Sequence, residues 1–175
     1  CRLLTESSVK SHGLCRVARW NGQTAGDYPF SVAQLSLLVE EIFSASNKAA
    51  SPLERLAALL HDAPEYVIGD MISPFKAVLG NDYKAFENRI QQAIHLRFGL
   101  PAELSETLKT AIKKADQVSA WLEATQLAGF SESDALDIFG PKPEKFQNIK
   151  LLPQDIFTIK NAFIAQFENL AHNNL

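Results

Sequence analysis

LAALLHDAPEYVIGD, residues 56–70, is the stretch on which the reading of this chain turns. It opens as an apolar helix, Leu56-Ala57-Ala58-Leu59-Leu60, then sets His61 beside Asp62, with Glu65 and Asp70 close behind. An imidazole and three carboxylates at the end of a core helix are unfavourable to bury. An isolated interior charge must pair, bind a metal or change its protonation state. Adjacent helical residues point about 100° apart, yet at a helix end both side chains can reach one centre. An imidazole with a carboxylate is a sound ligand pair for Zn, Mn, Fe or Co. The plainer reading is a satisfied core histidine beside a surface aspartate, and at this point both readings stand.

Working outward, the chain is punctuated for helices. Ser31-Val32-Ala33-Gln34 reads as a capping box, followed by Leu35, Leu38, Val39, Ile42 and Phe43 at helical spacing. Ser51-Pro52-Leu53-Glu54 is a stronger start signal, and its helix carries the opening stretch to a break near Pro64. A short piece is expected at Ser73-Pro74. Asp82 is expected to cap a segment burying Phe86, Ile90, Ala93, Ile94 and Phe98, ended by Gly99 and Pro101. A long helix is then predicted from about Pro101 to Gly129, with Leu104, Leu108, Ile112, Ala115, Val118 and Leu122 inward. A short helix follows Ser131, a loop covers 141–150, and Pro153 opens a last helix through Ile156, Ile159, Phe163, Phe167 and Leu170. With no strand alternation, hairpin turn, repeat or linker, the expectation is one all-α domain of about six to eight helices over residues 1–175.

The bulk numbers agree with that picture. The 175 residues are 46% hydrophobic, enough for a real core. A net charge of -3 gives no electrostatic reason to expect a nucleic-acid polymer as partner, although a small anion needs only a few local cations. Two cysteines, Cys1 and Cys15, are too few for a disulfide framework or a cysteine metal cluster, and Cys15 is expected as a small buried apolar residue. No apolar run is long enough for a membrane span and no signal-peptide pattern is visible, so the chain is read as cytoplasmic with no membrane partner. It opens on Cys1, so residues are expected to precede it.

Two ligands do not make a metal site. The best third candidate is Asp116, four residues after Ile112 and two before Val118. That is the edge of an apolar stripe, where a carboxylate can look inward or sit solvated in a local ion pair. Of the four histidines, His172 lies in the polar tail and His95 beside the Ile94 stripe, where a structural role is expected.

The ordered set Leu60-His61-Asp62-Ala63-Pro64-Glu65, Gly69-Asp70, Ser73-Pro74 and Lys76 resembles the HD-domain metal-dependent phosphohydrolases. Within them it is most similar to bacterial 5'-deoxynucleotidases and related phage deoxynucleotide phosphohydrolases. The likeness extends to Ala18-Arg19-Trp20-Asn21-Gly22, to Ser31-Val32-Ala33-Gln34 and to Lys114-Ala115-Asp116, roughly residues 12–130. The Arg19-Trp20 and Gly69-Asp70 contexts favour this branch over cyclic-nucleotide phosphodiesterases and stringent-response hydrolases.

The resemblance implies a single HD-domain helical bundle holding a divalent metal ion (Mn, Co, Zn, Fe or Mg) through a His, a His-Asp pair and a distant Asp. By position, His61 and Asp62 match the central pair and Asp116 the last ligand. Glu65 matches the acidic residue that activates or relays protons to the attacking water. Asp70 matches a carboxylate near the sugar and leaving oxygen. Arg19 and Lys76 match positions facing phosphate, and Trp20 one packing near the deoxyribose or base. The implied substrates are deoxyribonucleoside 5'-monophosphates, with triphosphates as the close rival, and the implied assembly is a homo-oligomer.

One position departs from the pattern. The resemblance implies Ser-Val-Ala-Gln-His-Ser for the first metal-binding histidine, and this chain has Ser31-Val32-Ala33-Gln34-Leu35-Ser36. Leucine cannot coordinate a metal, which leaves three protein ligands at most, with His12 the one histidine placed to substitute. Without a metal, Asp62 and Asp116 would face each other unneutralised, and at least one pKa should rise. A nucleotide-binding protein on the same fold, without turnover, is therefore the alternative. A purely helical interaction domain would leave the cluster from His61 to Asp70 unexplained.

Overall fold

Serine hydroxyls start four of the helices among the described residues. Ser31, Ser51, Ser105 and Ser131 each accept a hydrogen bond from the backbone N–H three residues on, which satisfies a donor that the first helical turn leaves open. The computed structural model describes residues 7–71 and 73–172. The helices are α1 (Ser7–Leu14), α2 (Val32–Ser46), α3 (Pro52–Leu59), α4 (Glu65–Ile68), α5 (Ser73–Arg97), α6 (Glu106–Gln126), α7 (Glu132–Phe139) and α8 (Ile156–His172). Short 3-10 turns lie at Arg19–Gly22 and Glu144–Phe146. The fold is all-α, and an isolated antiparallel bridge between Ala18 and Ser31 is the sole β-type pairing among the described residues.

Several boundaries differ from expectation for local reasons. Ser31 caps α2, but Gln34 does not complete the box, because its amide donates to Leu152 O at 2.7 Å and accepts from Gln154 N at 3.3 Å. The box at Ser51 and Glu54 is complete, with Glu54 Oε2 2.8 Å from Ser51 N. The predicted helix at 101–129 begins at Glu106, because Ser105 supplies the cap. The last helix begins at Ile156 rather than Pro153, where Asp155 accepts from Phe157 N and Thr158 N at 2.9 and 3.0 Å. The pieces expected at Ser73 and Asp82 are both present: α5 is two helices that meet at Gly80, whose φ 68° and ψ -149° are not helical.

Helix α2 lies at the centre and packs on α3, α6, α8 and α1. Its Val32, Leu35, Val39, Ile42 and Phe43 are buried with Leu56, Leu59, Leu122, Phe163 and Leu170 from its neighbours. Burying such side chains contributes about 1.5–3 kcal/mol each. One ion pair is sunk into this core. Glu40 accepts from Arg55 Nε at 2.6 Å and from Gln166 Nε2 at 2.8 Å, joining α2 to α3 and α8. Cys15 is buried as expected. Helix α5 buries Ile94 but leaves Phe86 half exposed and Ala93 exposed, against the expected inward stripe, because α5 as a whole packs little on the other helices.

Candidate metal centre and its surroundings

The α3 helix stops one turn before the expected break. Leu60 N still bonds Leu56 O, but His61 N reaches back only to Ala58 O, at 3.4 Å, and the chain turns through Ala63-Pro64 into α4. His61 and Asp62 therefore lie in the turn, not on the helix. There they share a centre, as adjacent side chains on a regular helix would not.

Ring orientation follows from one hydrogen bond. His61 Nδ1 donates to the Ala58 carbonyl oxygen at 2.9 Å, so in the neutral ring Nε2 carries the lone pair. Nε2 lies 3.2 Å from Asp62 Oδ2 and 3.9 Å from Asp116 Oδ1, yet it is buried and makes no hydrogen bond of acceptable geometry. Burial pulls the His61 pKa down, but the Asp62 and Asp116 charges outweigh it and lift the pKa to about 9. Burial likewise pushes the Asp62 carboxyl up, and the imidazolium outweighs that and holds it far below the usual range. Both shifts report a site that demands positive charge between its carboxylates, supplied by a proton when no other cation is there.

Ligating atoms of His61, Asp62 and Asp116 all lie within 4.8 Å of one another, the one such group among the described residues able to hold a metal ion. One nitrogen and carboxylate oxygens suit the first-row divalent cations. A cation fits here on three grounds: the lone-pair nitrogen has no donor, two carboxylates face it, and the ring is oriented from behind. Asp116 also accepts from Lys113 Nζ at 2.5 Å. Leu35 is fully buried on α2 and adds apolar surface where the resemblance implies an imidazole. His12 is exposed on α1 and is not part of the donor group. His95 is buried and bonded to Gln91 and to the Ala102 carbonyl, as a structural histidine should be. The His172 side chain lies outside the described residues.

The remaining predicted residues form two clusters beside this centre. Glu65 heads α4, buried, with Oε1 3.5 Å from Lys76 Nζ and Oε2 without a partner. Burial, reinforced by the Asp62 and Asp70 charges, pushes its carboxyl up to about 9. Lys76 also donates to Glu87 at 3.2 Å. In the second cluster Arg19 Nη1 lies 3.0 Å from both Asp70 oxygens, and Arg19 Nε donates to Glu123 Oε2 at 3.1 Å. Trp20 Nε1 donates to the same Glu123 oxygen at 2.9 Å, while its ring packs tilted on Phe130 and edge-on to Phe139. Arg19 and Lys76 were expected to face phosphate, and here each is held by two carboxylates.

A cleft of about 370 Å³ opens beside the metal donors, lined by His61, Asp62 and Asp116 with Gln91, His95 and Lys113. Sequence reasoning did not single out Glu123, Gln91 or Glu87. Glu123 alone carried a readable signal: it stands seven residues after Asp116, on the same helix face, between apolar Leu122 and Ala124.

Comparison with known proteins agrees with the geometry. An uncharacterised protein of Rhodobacter capsulatus is 54% identical over 157 residues, covering 89% of this chain and 80% of its own length. The 4'-phosphooxetanocin A phosphatase of Priestia megaterium is 25% identical over 90% of this chain and 87% of its own. In fold, the chain resembles the cyanophage S-2L HD phosphohydrolase DatZ, solved bound to dA and one catalytic Zn2+ ion, with TM-score 0.57 and 20% identity over 97% of this chain and 98% of that one. Residues 19–139, which include Arg19, the His61-Asp62 turn, Asp116 and Glu123, match the family described as 5'-deoxynucleotidase YfbR-like. The chain belongs to that YfbR-like family and is a hydrolase of the HD type.

Proposed function

We propose that this hydrolase removes the 5'-phosphate from deoxyribonucleoside monophosphates, with a divalent metal ion on His61, Asp62 and Asp116. The observation that carries the reading is the buried, unbonded His61 Nε2 between two carboxylates at the wall of an open cleft. The Zn2+ and dA in DatZ and the phosphatase activity in the Priestia relative's name support it. A cation held there supplies Lewis acidity, which makes water a better nucleophile near neutral pH and withdraws charge from the phosphoryl oxygens.

The chain's own groups do the rest. As water adds to phosphorus and the P–O5' bond breaks, the water loses a proton and the leaving O5' gains one. Glu65, whose carboxyl burial pushes up to about 9, is the group to give its proton to the leaving O5' and then, as the carboxylate, to take up the one the water loses. Asp70, fixed by Arg19 at 3.0 Å, is the carboxylate for the sugar and leaving oxygen. Arg19 keeps Nη2 free of hydrogen bonds among the described residues and can give it to a phosphate oxygen, and Lys76 adds a point charge. The Trp20 indole supplies a flat wall for the deoxyribose or base.

Lys109 and Lys113 on the cleft favour a second reading, with deoxynucleoside triphosphates as substrate. Self-association and a cytoplasmic setting belong to the same proposal, and a solution mass of one 19.3 kDa chain by light scattering would remove the former. The deciding assay is phosphate release from deoxyribonucleoside mono- and triphosphates, beside ribonucleotides, with Mn, Co, Zn, Fe or Mg added. Orthophosphate from the monophosphates is the expected result. Release of a longer phosphate moves the reading to triphosphates. Nucleotide binding without any release makes the chain a metal-deficient HD protein.

A further inference from the structure

Glu123 is buried to zero exposure in the last turn of α6, whose other buried residues are apolar or small. A carboxylate there has to be held by partners that matter. Its partners are two consecutive residues, Arg19 through Nε and Trp20 through Nε1, both on one oxygen, Oε2. Its second oxygen, Oε1, has no hydrogen-bond partner among the described residues. A carboxylate kept for folding alone would be expected to satisfy both oxygens. This one instead spends a single oxygen on holding two side chains together.

The backbone those side chains leave from is unusual. Trp20 and Asn21 both take left-handed conformations, at φ 53°, the two non-glycine residues with positive φ among those described. L-residues rarely adopt that region, and they persist there only when surroundings hold them. The Ala18–Ser31 bridge fixes one side of the turn, with Arg19 N donating to Phe30 O at 2.8 Å. Glu123 fixes the other side through the two side chains. Arg19 Nη1 lies 3.0 Å from each Asp70 oxygen, a bifurcated bond to the one carboxylate. With Nε and Nη1 engaged, the guanidinium plane is set, and Nη2, which makes no hydrogen bond among the described residues, can meet a ligand.

We infer that Glu123 is a positioning residue: it clamps Arg19 and Trp20 as one rigid unit and so sets how the nucleotide's phosphate and sugar are received. The inference rests on the functional reading above, in which Arg19 and Trp20 meet the substrate. Glu123 itself touches no substrate. It acts through geometry, where a shift of about 1 Å can lower a rate on the order of a hundredfold.

The test is steady-state kinetics on a deoxyribonucleoside monophosphate, with bound metal counted in each preparation. Equilibrium binding is read from Trp20 emission in a Trp121→Phe background, which leaves Trp20 the sole indole. Glu123→Ala should raise KM and Kd about tenfold or more and shift Trp20 emission, with metal content unchanged. Glu123→Gln should stay within about threefold of the parent, because its carbonyl oxygen can still accept both bonds. Equal loss in both variants with KM unchanged would mark a purely structural residue and overturn the inference. A parent that neither binds nor hydrolyses deoxynucleotide overturns the functional reading and this one with it. A parent that does, beside a folded Glu123→Ala with parental KM and Kd, overturns this one alone. If Glu123→Ala does not fold, a double-mutant cycle of Glu123→Asp, one methylene too short to reach both donors, with Trp20→Phe decides, Kd being read by equilibrium dialysis of the nucleotide: effects that do not add support the clamp, and additive effects remove it.

Discussion

Leu35 is the residue at which the chain parts from the four-ligand pattern its resemblance implies. It sits fully buried on α2, the helix that packs on both α3, just before the His61-Asp62 turn, and α6, which carries Asp116. Leu35→His should therefore tighten metal binding, by at least the 10–100-fold that even a supporting contact is worth. Titration with Mn or Zn beside the parent chain measures it, and equal affinities would show that position 35 does not reach the metal. His95 makes a second residue-scale prediction. Burial lowers its pKa from 6.5 against hydrogen bonds to Ala102 and Pro101. A histidine held neutral contributes stability that is full above the unfolded pKa and lost as pH falls below it. Between pH 7.5 and 5 the parent should lose more thermal stability than His95→Gln, read as a difference in Tm slope. At this scale the sequence was legible where chemistry is dense. His61, Asp62 and Asp116 lie within 4.8 Å of one another, the grouping that the resemblance implied and that spacing alone left open. Glu123 was not read: its place between Leu122 and Ala124 on the Asp116 face was visible, but its donors, 103 and 104 residues away in sequence, were not.

At the scale of elements, helix starts were legible and helix lengths less so. A serine three residues before a bonded N–H is a local signal, and Ser51 and Ser131 act as the sequence indicates. What ended α3 early was a turn whose reward is the His61 centre, a tertiary reason that no helix propensity carries. Ser51→Ala removes half of a complete capping box and should lower stability by about 1 kcal/mol in urea unfolding. The kink of α5 offers a cleaner case. A Cβ at Gly80 would meet nothing within 4 Å, yet φ 68° with ψ -149° is a region open essentially to glycine. Gly80→Ala should thus cost about 1–3 kcal/mol from backbone strain alone. An unchanged midpoint would mean the kink relaxes without penalty.

At the scale of the whole molecule, the centre joins segments far apart in the chain: the turn after α3 and the middle of α6. A cation bound to all three donors stabilises the folded form against the unfolded one by mass action, by about 2.7 kcal/mol when present at a hundred times its Kd. Chelation should lower Tm in the parent and leave His61→Ala unmoved.

The segment from Asn21 to Pro29 is exposed apart from Thr24 and contains neither lysine nor arginine. The Ala18–Ser31 bridge closes it at both ends, and Ala25 N on Leu127 O at 2.8 Å pins its middle. A single cut by a broad-specificity protease between Gly26 and Pro29 would therefore leave two fragments that travel together under native conditions and separate only in denaturant. Trypsin would spare this segment altogether. The loop that carries Trp20 is thus a place where the chain can be opened without releasing either end from the fold, and so a natural position for new termini.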